Sequence, residues 1–197
     1  MSTLGSLELA LVLGLRHALD ADHVAAVGTL IDPEVKASSV AGIATRWALG
    51  HAATLLSIGA VLIVLGLHLP ARFEVVAETA VAAVLIGLGI WRLRPHAAGH
   101  HHHMARGAFA VGVVHGLAGS GPMVLLAVST LDHKPYALLY LVLVAVGTLL
   151  GMVTMAGLFA LPLAKAAANR RVVQRTIEVV AGVASIAAGL RIGLELF

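Results

Sequence analysis

The sequence predicts an all-α integral membrane protein, a single bundle of six transmembrane helices, and three observations carry that expectation. Of its 197 residues, 59% are hydrophobic and only 12% charged, with a mean hydropathy of +0.97, against roughly 45–50% and 25% in soluble domains. The apolar residues form long continuous runs near the ~20 residues a helix needs to cross a bilayer core; they do not alternate with polar residues over short strands, as in a barrel. The Lys and Arg residues collect in the gaps between those runs. Residues 1–197 therefore read as one transmembrane domain, with no room for a large soluble one.

Six runs are expected to span the lipid bilayer: about Leu4 to Ile31, Val40 to Leu67, Val75 to Trp91, Ala108 to Leu131, Tyr136 to Leu163 and Val172 to Leu194. Asp32-Pro33, Leu69-Pro70 and Lys134-Pro135 mark turns, because proline disfavours helix in the residue before it. The loops after spans 1, 3 and 5 hold Lys36, Arg92, Arg94, Arg106, Lys165, Arg170, Arg171 and Arg175, and the opposite loops only Arg72 and Lys134. The positive-inside rule puts the first set in the cytoplasm and both termini outside, in a multi-pass protein of the cytoplasmic membrane. The net charge of +3 is thus spent at the membrane edges and does not point to nucleic acid. Cysteine is absent, which excludes disulfides, thiolate ligands and dithiol redox chemistry. No basic stretch precedes the first run, so a cleavable signal peptide is not expected.

The halves echo each other. Gly14-Leu15-Arg16-His17 resembles Gly112-Val113-Val114-His115, and spans 3 and 6 share Glu78/Glu178, Ile86/Ile186 and Gly89/Gly189 at one offset. Three spans followed by three more have opposite topology, so the expectation is an inverted 3+3 repeat with broken or distorted helices in spans 1 and 4.

Chemistry concentrates in Arg16-His17-Ala18-Leu19-Asp20-Ala21-Asp22-His23. Ionisable groups inside a membrane segment are costly and mark ion, proton or substrate paths, and imidazole with carboxylate suits a divalent transition metal. On a straight helix His17, Asp20 and His23 share one side and Asp22 points away. A local distortion near Leu19 to Asp22 would let Asp22 join; otherwise Asp20 is the ligand and Asp22 orients an imidazole. His51 lies in span 2 on a face made polar by Thr54 and Ser57. His115 precedes Gly116-Leu117-Ala118-Gly119-Ser120-Gly121-Pro122, a run that opposes a regular helix. It reads either as a break beside a substrate path or as close packing through small residues. His96, His100, His101, His102 and His103 form a His-rich cytoplasmic loop, residues 92–107, that reads as an accessory metal collector or as a solvated linker. Glu78 and Glu178 are expected near span ends, bonded locally.

His17-x4-Asp22-His23, in its Arg-His-Ala-Leu-Asp-Ala-Asp-His-Val context, resembles the signature of the nickel/cobalt transporter family. Leu49-Gly50-His51 resembles the second element of that family, with Ala52 where Ser is usual. His115-Gly-Leu-Ala-Gly-Ser-Gly-Pro resembles its short branch, which includes nickel permeases encoded with urease accessory proteins. The long branch has an extra first span and later Asp/Thr/Glu-rich motifs that this chain does not show. The resemblance implies uptake of Ni²⁺ or Co²⁺ as transported substrate, with no prosthetic group. It implies His17, Asp22 and His23 as essential residues, a contribution from His51, and cytoplasmic nickel chaperones or urease accessory proteins as partners.

The sequence therefore predicts a permease and not an enzyme. The metal site is His17 and His23 with Asp20 or Asp22, helped by His51 and His115. An inside-negative potential, worth ~2.3 kcal/mol per charge per 100 mV, favours inward passage of a cation. Three alternatives stand beside it. An intramembrane metal-dependent hydrolase lacks a His-Glu-x-x-His pattern, an anion exporter conflicts with the carboxylates, and a membrane metal sensor would bind without flux.

Overall fold

In a computed structural model the described residues are 3–30, 37–94, 101–131, 133–167 and 171–196. They form seven helices: α1 (Thr3–His17), α2 (Ala21–Leu30), α3 (Ala37–Leu65), α4 (Ala71–Leu93), α5 (His101–Thr130), α6 (Lys134–Ala167) and α7 (Arg171–Glu195). Large apolar side chains such as Val76, Leu158 and Leu194 point outward, each more than 60% exposed, as lipid-facing positions do.

Four of these helices are long and apolar enough to cross a membrane: Ser39–Leu65 of α3, α4, Lys134–Phe159 of α6 and Val172–Glu195 of α7. The bent pair Gly107–Gly119 and Gly121–Thr130 of α5, whose parts meet at 46°, satisfies the same criterion only with its two parts taken together. Pro122, which lacks an amide hydrogen, lies just past that bend. The expected first span is divided. α1 and α2 have 15 and 10 residues, about 22 and 15 Å of helix, so neither covers a core of ~30 Å alone. The expected Asp32-Pro33 turn lies outside the described residues.

Local chemistry sets the other ends. α3 stops at Gly66, the only positive φ among the described residues at +68°, and the Leu67 amide reaches back to the Leu62 carbonyl at 2.9 Å, a glycine-dependent helix stop. Lys134 then crosses from the start of α6 to the Val64 carbonyl, 2.8 Å away. α4 begins after Pro70, in extended conformation. One expectation needs correction: the His-rich stretch is not all loop. α5 already starts at His101, so His101, His102 and His103 make its first turn, followed by Met104 and Ala105, good helix formers. Their side chains, and His96 and His100 altogether, lie outside the described residues.

The main helix pairs are α3 with α5, α4 with α7 and α1 with α6, besides α3 with α6, and glycine seams set the closest approaches. A Cβ on Gly14 would strike the Val144 carbonyl and the Thr148 amide, and one on Gly147 would strike the Leu11 carbonyl. Ninety-eight residues after Gly14, a Cβ on Gly112 would strike the Trp47 carbonyl and the His51 amide, and one on Gly50 the Phe109 carbonyl. Contact numbers rise together in both pairs, so α1 runs parallel to α6 and α3 parallel to α5. In α4 and α7 they run oppositely: Gly89 faces Gly182 and Ile186, while Gly189 faces Ala82 and Ile86. Small residues let helices approach where lipid supplies no hydrophobic drive for association.

One face of the bundle therefore carries the start of α1, the α3–α4 and α5–α6 turns and the end of α7; call it the first face. The second face carries the starts of α3, α5 and α7. The buried apolar side chains form two clusters, one around Trp47, Leu85 and Met152 toward the second face, the other around Leu55, Tyr140 and Leu141 toward the first. His51, between Trp47 and Leu55 on α3, sits where the two meet.

Candidate metal centre

The break between α1 and α2 builds half of the site. α1 tightens at its end, with the Leu19 amide on the Arg16 carbonyl at 2.9 Å and the Asp20 amide on the His17 carbonyl at 3.1 Å. The Asp20 carbonyl then accepts the first bond of α2, from the Val24 amide at 3.0 Å. Asp20 thus takes the position where aspartate competes well with a continuing helix. Asp22 falls in the first turn of α2, where a negative charge suits the helix dipole. The turn brings His17, the last residue of α1, against His23 in the first turn of α2, with ring centroids 4.6 Å apart.

The α3–α5 seam builds the other half. Gly112 and Gly116 let α5 lie directly on the backbone around His51, which brings His51 and His115 to the same level. His51 is 5.4 Å from His17 and 5.1 Å from His23, and His115 is 5.5 Å from His23, between ring centroids. His23, His51 and His115 are buried. One ring nitrogen each from His17, His23 and His51 lie within 4.8 Å of one another.

Hydrogen bonding fixes which nitrogens are available. The His17 Nδ1 hydrogen goes to Asp20 Oδ2 at 2.7 Å, that of His23 to Asp22 Oδ1 at 3.1 Å, and that of His115 to the Val111 carbonyl at 3.2 Å. With Nδ1 protonated, each Nε2 keeps its lone pair. The Nε2 atoms of His17, His23 and His115, and both ring nitrogens of His51, are buried without a hydrogen-bond partner. A neutral His51 has one lone pair and one N–H on opposite sides of its ring, so the four imidazoles offer at most four donor nitrogens, which with no thiolate near suit a divalent cation of nitrogen preference. Asp20 and Asp22 each pair with an imidazole Nδ1 and lie outside the group of three ring nitrogens within 4.8 Å of one another.

His17, His23 and His115 line a cavity of about 490 Å³ whose wall includes Asp20, Asp22, Glu78, Arg191 and Glu195, with His51 behind them. Glu195 and Arg191 end α7, so the cavity opens toward the first face. Trp47 seals the opposite side: it is fully buried, with its ring 5.5 Å from His23 and 6.0 Å from His115. Gly119 makes the remaining room, since a Cβ there would lie 3.1 Å from His17 Nε2. Within the glycine-rich run Gly116 packs on His51 and Thr54, and Gly119 lies beside the His17 ring. Glu178 pairs locally with Arg175 as expected, but Glu78 lines the cavity. A carboxylate inside an apolar run was the signal for it, by the same membrane cost that singled out Asp20 and Asp22.

Fold and site together define a multi-pass helical membrane protein with a buried imidazole cluster at the floor of a one-sided cavity. The chain is 30% identical over 203 residues to the urease accessory protein UreH of Bacillus sp. (strain TB-90), across 93% of this chain and 88% of that protein. It belongs to the UreH family. It is not an enzyme. No family model matches the sequence, and no solved structure matches it significantly.

Proposed function

We propose that the protein is a permease that takes up Ni²⁺, and Co²⁺ as a second substrate, across the cytoplasmic membrane. The observation that carries this proposal is the gathering of four buried or nearly buried imidazoles with partnerless ring nitrogens, those of His17, His23 and His51 within 4.8 Å of one another and His115 beside His23. Each buried polar atom without a partner costs roughly 1–3 kcal/mol, so one on each of four imidazoles is a large share of the stability of a domain, ~5–15 kcal/mol. Packing alone does not offset that; a cation that takes the lone pairs does. The nickel assignment rests on the His17–His23 signature and agrees with the name of the relative, a urease accessory protein.

In this mechanism His17, His23, His51 and His115 hold the ion. Asp20 and Asp22 fix two rings in the right tautomer and raise their basicity, as carboxylates behind metal-bound histidines do. Nitrogen donors without thiolate bind firmly enough to select and weakly enough to release. Acidification weakens binding, because each donor nitrogen must stay free of its proton. The carboxylates around the cavity draw cations toward the floor.

α1 and α2 together make the sixth crossing, and the bundle is an inverted 3+3 repeat. The glycine seams support this: the α1–α6 and α3–α5 contacts correspond at offsets of 98 and 97, and Gly89 and Gly189 face equivalent residues of each other's helix. Basic residues put the second face and the His-rich stretch, His96 to His103, in the cytoplasm, where nickel chaperones or urease accessory proteins receive the ion. The test is Ni²⁺ uptake into proteoliposomes under an inside-negative potential, with His17→Ala alongside. Saturable uptake lost in the variant is expected. Binding without flux would leave a membrane metal sensor in its place.

A further inference from the structure

The present structure is open on one face, and the inverted repeat proposed above indicates what shuts the other. Within the α4–α7 pair the packing is even-handed. Gly89 against α7 and Gly189 against α4 make matching contacts, and the one-way bond from Ser185 Oγ to the Leu85 carbonyl at 2.7 Å lies at the middle of the pair, between two positions related by the same offset of 100. Packing of this kind gives no preference for either face. One side chain breaks the balance. The Arg175 guanidinium donates Nη2 to the Leu93 carbonyl, at the end of α4, at 2.8 Å, and Nη1 to Glu178 Oε2 at 3.1 Å. It thereby ties the start of α7 to the end of α4 at the second face.

The equivalent first-face positions are Val75, Gly193 and Glu78. Val75 is apolar and 40% exposed and has no donor to offer. There the cavity stands open, and Glu78, the counterpart of Glu178, lines it. The tied face is the one closed beneath the imidazoles by Trp47 and Leu85, both fully buried.

We propose that Glu178 is a station for the divalent cation on the release side, and that Arg175 occupies it as a tethered cation while the second face is shut. When Arg175 lets go, α4 and α7 shift along their shared seam. The passage past Glu78 then closes and an equivalent one past Glu178 opens. The arriving ion replaces the guanidinium as partner of the carboxylate, so release and reclosure compete for one group.

The absence of cysteine makes a single introduced thiol unique. Ala188 lines the cavity, and Leu88 is its counterpart on α4. With a membrane-impermeant maleimide, Ala188→Cys should label fast and Leu88→Cys at least about tenfold more slowly. Adding Arg175→Gln should reverse the order, and Arg175→Lys should give an intermediate result. Unchanged rates overturn the latch. So does a rise of both together, which marks a loosened bundle and not an exchange of faces. Glu178→Gln should slow Ni²⁺ uptake several-fold while equilibrium Ni²⁺ binding at the imidazoles stays the same; unaltered uptake overturns the station. Labelling reads the open face whether or not an ion moves. Exchange of faces without Ni²⁺ flux would therefore overturn the permease and leave the latch, and flux without exchange would do the reverse.

Discussion

On the inverted-repeat reading proposed above, the α1–α2 break and the α5 bend occupy corresponding places in two halves, yet they do different work. The first carries Arg16, His17, Asp20, Asp22 and His23, and it supplies two donors with a carboxylate behind each. The second carries one histidine among glycines, and it supplies His115 and, at Gly119, empty space beside His17. The seams that hold the two segments are alike: Gly14 against α6 matches Gly112 against α3. On that reading the doubled scaffold keeps its packing in both copies while the proposed metal chemistry sits mostly in one. The comparison breaks if the seams prove unequal or the two segments prove chemically alike.

The largest effects should come from the donors. His17→Ala and His23→Ala each remove a donor and leave a carboxylate without its imidazole. Ni²⁺ affinity, read by calorimetry on purified protein, should fall by more than the roughly 10–100-fold lost when only a supporting partner is removed. His115→Ala should cost less, because its ring lies outside the closest trio. Equal losses from all three would make the α5 segment a full partner and undo the contrast. Next come the seams. Gly14→Ala and Gly112→Ala each drive a methyl into a backbone carbonyl, an overpacking worth on the order of 1–3 kcal/mol. Their thermal unfolding temperatures in detergent should drop by similar amounts. A large drop in one and none in the other would end the equivalence of the halves.

Much of this could be read in the sequence, and the reasons are local. The His17–His23 cluster stood out because a membrane makes every ionisable group expensive. The distortion was expected near Leu19 to Asp22 and falls at Ala18 to Asp20, because the aspartate that begins α2 also ends α1. What stayed hidden depends on neighbours distant in the chain. No spacing shows that Asp20 and Asp22 would each turn to a histidine Nδ1, because the turn that aims them exists only once α1 and α2 pack against α6 and α7. Trp47 beneath the imidazoles belongs to a different helix from His23 and His115. Glu78 carried the same warning as the aspartates but was assigned to a span end, where a carboxylate costs little. The first span was expected with a broken or distorted helix, and α1 and α2 divide there, where Asp20 begins α2.

Asp20→Asn and Asp22→Asn refine the comparison further. Each keeps the shape but exchanges a charged acceptor for a neutral one, so the imidazole behind it loses basicity and a fixed tautomer. A loss of Ni²⁺ affinity in the 10–100-fold range is expected for each, larger for Asp22, whose histidine is buried, than for Asp20, which is half exposed. A total loss in either variant, equal to that of His23→Ala, would make that carboxylate a direct ligand.

The smallest effect should fall on the cavity wall. Glu78 is too far out to share the donor cluster, so Glu78→Gln should leave equilibrium affinity nearly unchanged. Its charge acts on an approaching cation through the field of the cavity, which with Asp20, Asp22 and Glu195 against Arg191 is negative. Such steering changes arrival rates and is screened by salt, since the Debye length shrinks from about 10 Å at 0.1 M to about 3 Å at 1 M. Initial Ni²⁺ uptake at low ionic strength and low ion concentration should therefore slow a few-fold in Glu78→Gln, through KM and not through the maximal rate. The difference from wild type should vanish at high salt. If the maximal rate falls instead, and salt does not restore it, Glu78 touches the ion during passage, and the first-face half contributes a fifth binding group.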